Sequence, residues 1–254
     1  MSVTCNFAGR MGNCIYNVAA MIAYCKKNNL QYYVPTEANH YKRFIGDNKM
    51  PFTIPSTGEA PINPTVYREP VDENRYPFYK EIPPTDNVVL TGYYQSFNYF
   101  DWCRDYILDT FNFPYEMNKG VVSISVRRGD CVGSPHFPLA PREYYENAIR
   151  YMQDRGYNDF HVFSDDIAWC MQEFNQDNYY GANFYFSVGK TEYEDFIAIQ
   201  NCDHNIIARS TFSLTAAWFN RNPDKIVLVP TTKHKWWTTQ NLDLIPDYFT
   251  QIEF

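Results

Sequence analysis

A short apolar run, Val3 to Ala8, opens the chain and leads into the tight turn Gly9-Arg10-Met11-Gly12-Asn13. Cys14, Val18, Met21, Ile22 and Cys25 then recur at helical spacing, and Lys26-Lys27 supplies the positive charge that suits a helix C-terminus. Leu30 to Val34 reads as a second strand, which makes a β-turn-α-β unit with its glycine turn at the ligand end of a parallel sheet. From Lys49 to Asp86 prolines break every period, so this stretch is expected to be irregular. A strand resumes at Asn87 to Thr91, followed by Gly92-Tyr93-Tyr94-Gln95-Ser96 and a helix from Tyr99 to Phe111. Phe113 to Gly120 is the candidate linker between a domain at 1–117 and another at 118–254.

The second half alternates more cleanly. Strands are predicted at Val121–Val126, Phe160–Phe163, Phe184–Phe186, Asn205–Ala208 and Lys225–Val229, the last clear one. Between them lie a helix starting with Pro141 at its first position, with Tyr145, Ala148, Ile149 and Met152 as buried stripe, and a helix containing Trp169 and Met171. Glu192–Gln200 and a segment opened by Ser210-Thr211-Phe212-Ser213 complete the set. Strand–helix alternation of this kind builds a parallel sheet with helices on both faces, so the fold class is α/β.

Composition narrows the function. The chain has 22 Tyr, 19 Phe and 5 Trp, which excludes a disordered chain, and a net charge of −7, which lacks the basic footprint of a general nucleic-acid binder. An anionic ligand must therefore meet a local cluster of Arg or a helix N-terminus. Seven Cys without a C-x-x-C pair argue against a zinc site or a disulfide scaffold and for buried thiols. No segment has the length of a membrane helix and the N-terminus lacks a basic signal region, so a cytoplasmic protein is expected.

Candidate chemistry sits directly after strands, where open α/β sheets bind ligands. Arg127-Arg128-Gly129-Asp130 can hold a diphosphate in two guanidinium forks, or it can be an Arg–Asp ion pair that pins a loop. Ser164-Asp165-Asp166 can be a helix cap, or its second carboxylate can accept from a guanine edge or a ribose, or the pair can hold Mg²⁺. Ser210 to Ser213 can be a cap or a phosphate-binding helix start. The glycine turn at 9–13 has neither the dinucleotide fingerprint nor the P-loop spacing. Of five His, His161 reads as a packed strand residue, and His136, in the loop after the Arg cluster, is the one candidate for catalysis.

Taken in order, these motifs resemble the α-1,2-fucosyltransferases of glycosyltransferase family 11. The resemblance runs through Gly9-Arg10-Met11-Gly12-Asn13, Gly92-Tyr93-Tyr94-Gln95-Ser96, Arg127 to Asp130, Phe163 to Asp166 and His204 to Ser213. Leu244-Ile245-Pro246-Asp247 extends it along nearly the whole chain. It implies a GT-B architecture, two Rossmann-like domains facing a cleft, and inverting transfer of L-fucose from GDP-fucose to a galactoside hydroxyl in α-1,2 linkage, with no metal or other cofactor required. By motif position, Arg127 would hold the donor diphosphate, and Arg10, Gly12, Asn13, Ser125, Arg128, Asp165, Asp166, Ser210, Thr211, Phe212 and Ser213 would complete the donor site. Gln95 and Tyr94 would lie on the acceptor side, and Asp130 and His136 are the candidate bases. Departures fall near the donor: Ser125 stands where the family commonly has His, and Arg209 where Asn is frequent. They leave open a different sugar nucleotide, or a degenerate member that binds a nucleotide or glycan without transferring. The resemblance also lacks the membrane stem of animal members, which fits a bacterial or viral enzyme acting on a nucleotide sugar and a glycan.

Overall fold

The computed structural model describes residues 2–7, 9–34, 52–73, 77–135, 137–231 and 244–254. The chain divides into two compact units, Met1–Phe113 with Thr239–Pro246, and Pro114–Thr238 with Asp247–Phe254. Among the described residues every pairing between strands of the two sheets is parallel, as the alternation predicts, and an isolated bridge between Val71 and Pro77 is antiparallel.

Unit 1 carries a four-stranded sheet in the order β2-β1-β4-β3, made of β1 Ser2–Cys5, β2 Gln31–Tyr32, β3 Thr65–Arg68 and β4 Val88–Thr91. Helix α1, Met11–Asn28, begins inside the predicted turn, so Gly12 and Asn13 belong to its first turn. It is buried around nearly its whole circumference from Met11 to Cys25, the mark of a helix inside a unit rather than on its surface. Asn29 closes it in the left-handed conformation that Asn tolerates (φ 53°). The irregular stretch hides β3, an edge strand whose Thr65, Val66 and Arg68 are exposed and which shows no core-facing pattern. The helix predicted from Tyr99 starts later: two 3₁₀ turns, Phe97–Tyr99 and Asp101–Cys103, precede α2, Arg104–Phe111.

Unit 2 carries six strands: β5 Asn118–Val126, β6 Asp159–Ser164, β7 Asn183–Phe186, β8 Cys202–Ile206, β9 Val227–Pro230 and β10 Thr250–Ile252. Strand β5 begins inside the proposed linker, and β10 lies beyond the last strand predicted. Their order, β10-β9-β8-β5-β6-β7, is the doubly wound order with its reversal between β5 and β8. Among the described residues its α-helices are α3 Arg142–Gln153, α4 Ile167–Glu173, α5 Glu192–Gln200 and α6 Thr211–Phe219. Pro141 is the residue before α3 rather than its first, held extended at φ −68° and ψ 156°. On one face Tyr144, Tyr145, Ala148, Ile149 and Met152 of α3 pack on Val122, Ile124, Phe160 and Val162.

The opposite face is built on buried amides. Asn205 Nδ2 lies 2.8 Å from Ser123 Oγ and 2.9 Å from Ile199 O of α5, and Asn220 Nδ2, just past α6, donates to Asn205 Oδ1 at 2.9 Å. Such groups stay buried only because each is paired. Six of the seven Cys are buried and Cys131 is half-buried. Among the described residues no helix is long and apolar enough to cross a membrane, and no three metal-ligating side chains gather.

Candidate active site

In unit 2 the strand order reverses between β5 and β8, and in sheets of this order ligands bind outside the carboxyl ends of the strands at that reversal. The residues on those ends are the ones the sequence singles out. Arg127 and Arg128 leave β5, Asp165 and Asp166 leave the neighbouring β6, and Arg209 and Ser210 follow β8.

The first four interlock. The Arg127 guanidinium pairs with both Asp165 and Asp130. Arg128 donates its backbone N–H to Asp165 Oδ1 (2.8 Å) and its Nε to Asp166 Oδ2 (3.0 Å), while its guanidinium lies 3.8 Å from the centre of the Trp169 ring. Asp166 also caps α4, accepting from Trp169 N at 3.3 Å. A Cβ on Gly129 would meet the Asp165 carboxylate, so a larger residue here would have to displace that carboxylate from its two Arg partners. The ion-pair and cap readings are thus realised. They leave donors over, because a guanidinium carries five N–H groups. The Arg127 side chain keeps 23% of its surface exposed, against 18% for Arg128.

Around this knot lie three further features. Ser125, one step back on β5, is 6% exposed and its Oγ has no hydrogen-bond partner, while Tyr145 donates to its carbonyl at 3.4 Å. Ser210 precedes α6 in extended conformation and its side chain makes no capping bond, so the first-turn amides at Thr211 and Phe212 are not capped by it. Ser213 is different: buried, with its hydroxyl 3.0 Å from Ala208 O and 3.2 Å from Ser210 O, it ties the turn. Arg209 is half-buried near the Phe137 ring (5.6 Å), and desolvation lowers its pKa, with the neighbouring Cys131 opposing. Burial pushes the Cys131 thiol up, against the pull of Arg127. His136 lies outside the described residues. His161 is half-buried against Phe163 rather than part of a closed core.

Unit 1 assembles its own cluster at the carboxyl ends of β1, β3 and β4. Gln95 Nε2 donates to Asn13 Oδ1 at 2.7 Å, joining the two motifs of this half, and Asn17 Nδ2 donates to Gly92 O at 2.7 Å. Arg10 is the exposed residue that precedes α1, and Gly12 is buried behind it. Tyr94 departs from its expected acceptor-side role. Its ring is fully buried, edge-on to Tyr99 at 5.2 Å, so the loop offers Gln95 and the 42%-exposed Tyr93 instead. Glu69, at the end of the unpredicted β3, accepts from Tyr93 N at 2.7 Å and Tyr94 N at 2.9 Å. No sequence pattern marks Glu69, although an acid directly after an edge strand was there to be found.

A parallel α/β protein with two Arg and two Asp at the switch point of a doubly wound sheet is of the kind that binds nucleotides. The model of glycosyl transferase family 11 matches residues 76–242, more than half of the chain, and the chain belongs to that family. It is similar to the O-antigen biosynthesis glycosyltransferase WbnK of Escherichia coli, 35% identical over 176 residues that cover 60% of this chain and 56% of the relative. An alpha-1,2-colitosyltransferase of Escherichia coli is 29% identical over 66% of this chain and 63% of its own length. The galactoside 2-alpha-L-fucosyltransferase SEC1 of Bos taurus is 26% identical over 85% of this chain and 63% of its own. The chain therefore spans less than two thirds of the length of these curated relatives.

Proposed function

We propose that the protein is an inverting glycosyltransferase that moves L-fucose from GDP-fucose to the 2-hydroxyl of a galactoside. In this reading two Rossmann-like domains, 1–117 and 118–254, face a cleft in the GT-B manner, with no metal or other cofactor required. The observation that carries it is the Arg127 knot at the β5/β8 reversal of unit 2, with α6 starting after β8 at that same reversal, in a chain of family 11. Relatives named for α-1,2 transfer and for galactoside fucosylation support the linkage and the acceptor class. Buried thiols without a described disulfide suit work in a reducing cytoplasm.

In the reaction the acceptor oxygen forms a bond to the sugar's anomeric carbon while the carbon–oxygen bond to the diphosphate breaks. The electron pair leaves with the diphosphate, and the acceptor's proton passes to a base or to water. Negative charge grows on the leaving group, so the remaining Arg127 donors and the α6 amides stabilise the transition state more than the ground state. Asp165 and Asp166 hold the two guanidiniums in place and themselves face the nucleoside. Asp130 and His136 remain the proposed bases. A strongly dissociative reaction needs neither, and its rate would then stay flat from about pH 6 to 8, where His titrates.

The sugar is a second question with its own observation. Ser125 and Arg209 both border the proposed donor pocket, and one relative is a colitosyltransferase, so a donor related to GDP-fucose is the alternative. Titration calorimetry with GDP, UDP and ADP in chelator tests the nucleotide. GDP is expected to bind tightest, and binding that vanishes on chelation, or a preference for UDP, overturns the reading. Transfer from GDP-fucose to a β-galactoside, followed by chromatography, separates an enzyme from a degenerate binder.

A further inference from the structure

Tyr94 stands in the left-handed region at φ 49° although it carries a bulky side chain. Such a residue keeps that conformation only where its surroundings over-determine it, and residues of this kind gather at functional sites. What over-determines it here is Glu69. One carboxylate oxygen, Oε2, accepts from two successive backbone amides, Tyr93 N and Tyr94 N. A Cβ on Gly92 would come within 2.6 Å of that same oxygen, so Gly92 is the residue that lets the loop close over the carboxylate. On its other side the loop is held by Asn17, which donates to Gly92 O. The turn ends with Gln95 reaching Asn13 Oδ1 on the first turn of α1.

The carboxylate is poorly solvated. Burial raises the Glu69 pKa, and the two amides oppose that shift. Neighbouring phenols respond to the same charge: Tyr94 and Tyr99 are both pushed far up, by burial first and by Glu69 second. A half-buried acid beside three tyrosines is an expensive way to hold a surface loop. A neutral acceptor would hold two amides at lower desolvation cost unless the loop geometry itself mattered.

We propose that Glu69 is the positioning residue of the unit 1 site, fixing the Gly92–Ser96 turn so that Gln95 and Asn13 present a paired amide face to the hydroxyl groups of the sugar acceptor. A primary amide offers a donor and an acceptor at fixed spacing, which matches vicinal hydroxyls and requires the turn to be rigid. This role rests on the glycosyltransferase reading, and the test keeps the two apart.

Glu69→Gln keeps a side-chain oxygen for both amides and removes the charge, whereas Glu69→Ala removes the anchor. Hydrogen exchange of the Tyr93 and Tyr94 amides reads the anchor without any activity. Protection is expected to persist in Glu69→Gln and to vanish in Glu69→Ala, while protection in α1 and in unit 2 is unchanged. In the transfer assay, Glu69→Ala is expected to raise the acceptor KM by about tenfold or more, with donor KM and GDP affinity unchanged, and Glu69→Gln to stay within about threefold of wild type. Unaltered exchange in Glu69→Ala, an acceptor KM that does not move, or a shift in GDP affinity overturns the proposal. If Glu69→Gln is as inactive as Glu69→Ala with KM unchanged, the carboxylate's charge or proton is what the reaction uses, and positioning is overturned in favour of chemistry. If wild-type protein binds no GDP and transfers no sugar, the glycosyltransferase reading itself fails, and the acceptor role falls with it, whatever the exchange data show.

Discussion

The two units place their candidate residues at the same address, the carboxyl ends of parallel strands, and fill it with opposite chemistry. Unit 2 gathers full charges that pair with one another: Arg127 with Asp165 and Asp130, Arg128 with Asp166. Unit 1 gathers amides and phenols around one poorly solvated carboxylate, Glu69, with Gln95 on Asn13 and Asn17 on the Gly92 carbonyl. Guanidinium forks that keep part of their surface open suit a ligand that brings or develops negative charge. A face of amides suits a neutral, hydroxyl-rich one. The difference teaches that strand ends supply the location and the residues leaving them decide the substrate class.

The largest expected effect breaks the charged cluster. Arg127→Lys retains a cation but not the fork that spans two carboxylates and, in the proposed reading, a phosphate oxygen. Turnover should fall by about 10²–10³, with the thermal midpoint little changed, since Asp130 is well exposed and solvates readily. A variant that keeps near-normal turnover would show that the diphosphate is held elsewhere. Arg128 sharpens the contrast within the same cluster. Its stacking on Trp169 and its bond to Asp166 are less exposed, so Arg128→Ala should lower unfolding stability by about 1–2 kcal/mol in urea titration. If Arg127→Ala melts early and Arg128→Ala stays folded and inactive, the two roles are reversed.

The smallest effect is one of pH, and its sign differs between the units. In unit 2, His204 is buried, accepts from Ile226 N at its Nδ1 (3.0 Å), and faces the Tyr157 ring, with Asp203 and Asp224 close enough to oppose the shift. Burial lowers the pKa of His204 and of His161 below the ordinary 6.5. The unfolded chain therefore takes up these protons first. Stability from the two groups is complete above about pH 6.5 and falls as the pH drops toward the folded values, by at most about 1.4 kcal/mol per pH unit for each proton. In unit 1 the Glu69 pKa is raised above 4.5, so the folded state binds that proton first and gains as the pH falls through the raised value. Segment-resolved hydrogen exchange between pH 7 and 5 should show unit 2 loosening while the Glu69 turn does not. His204→Gln should flatten the unit 2 response, and an unchanged slope would count against this account.

Legibility in the sequence followed burial. Strands whose both faces are covered, such as β5 and β6, announce themselves as apolar runs ending in charged motifs, and the charged cluster was readable from their ends. The edge strand β3 packs too little to pattern its residues, so it vanished among prolines and took Glu69 with it. The short β10 was lost for want of length. Tyr94 could not be told from a surface aromatic because its burial comes from a left-handed backbone that no spacing rule encodes. The pairing of Arg127 with two carboxylates rather than one was likewise invisible, since Asp165 lies 38 positions away.

One feature of the chain path bears on how the molecule is made. Residues 244–246 belong to unit 1, and residues 247–254 return to unit 2, where β10 pairs with β9. Domains emerging from the ribosome ordinarily fold in turn, the N-terminal one first. Here neither unit has all its parts until the last described residues have been made: the N-terminal unit waits for residues 244–246, and the second sheet waits for Thr250–Ile252 to cover β9. A ribosome stalled near residue 243 would hold two unfinished units, and a fragment cut at the Phe113–Pro114 boundary would leave residues 244–246 on the wrong piece.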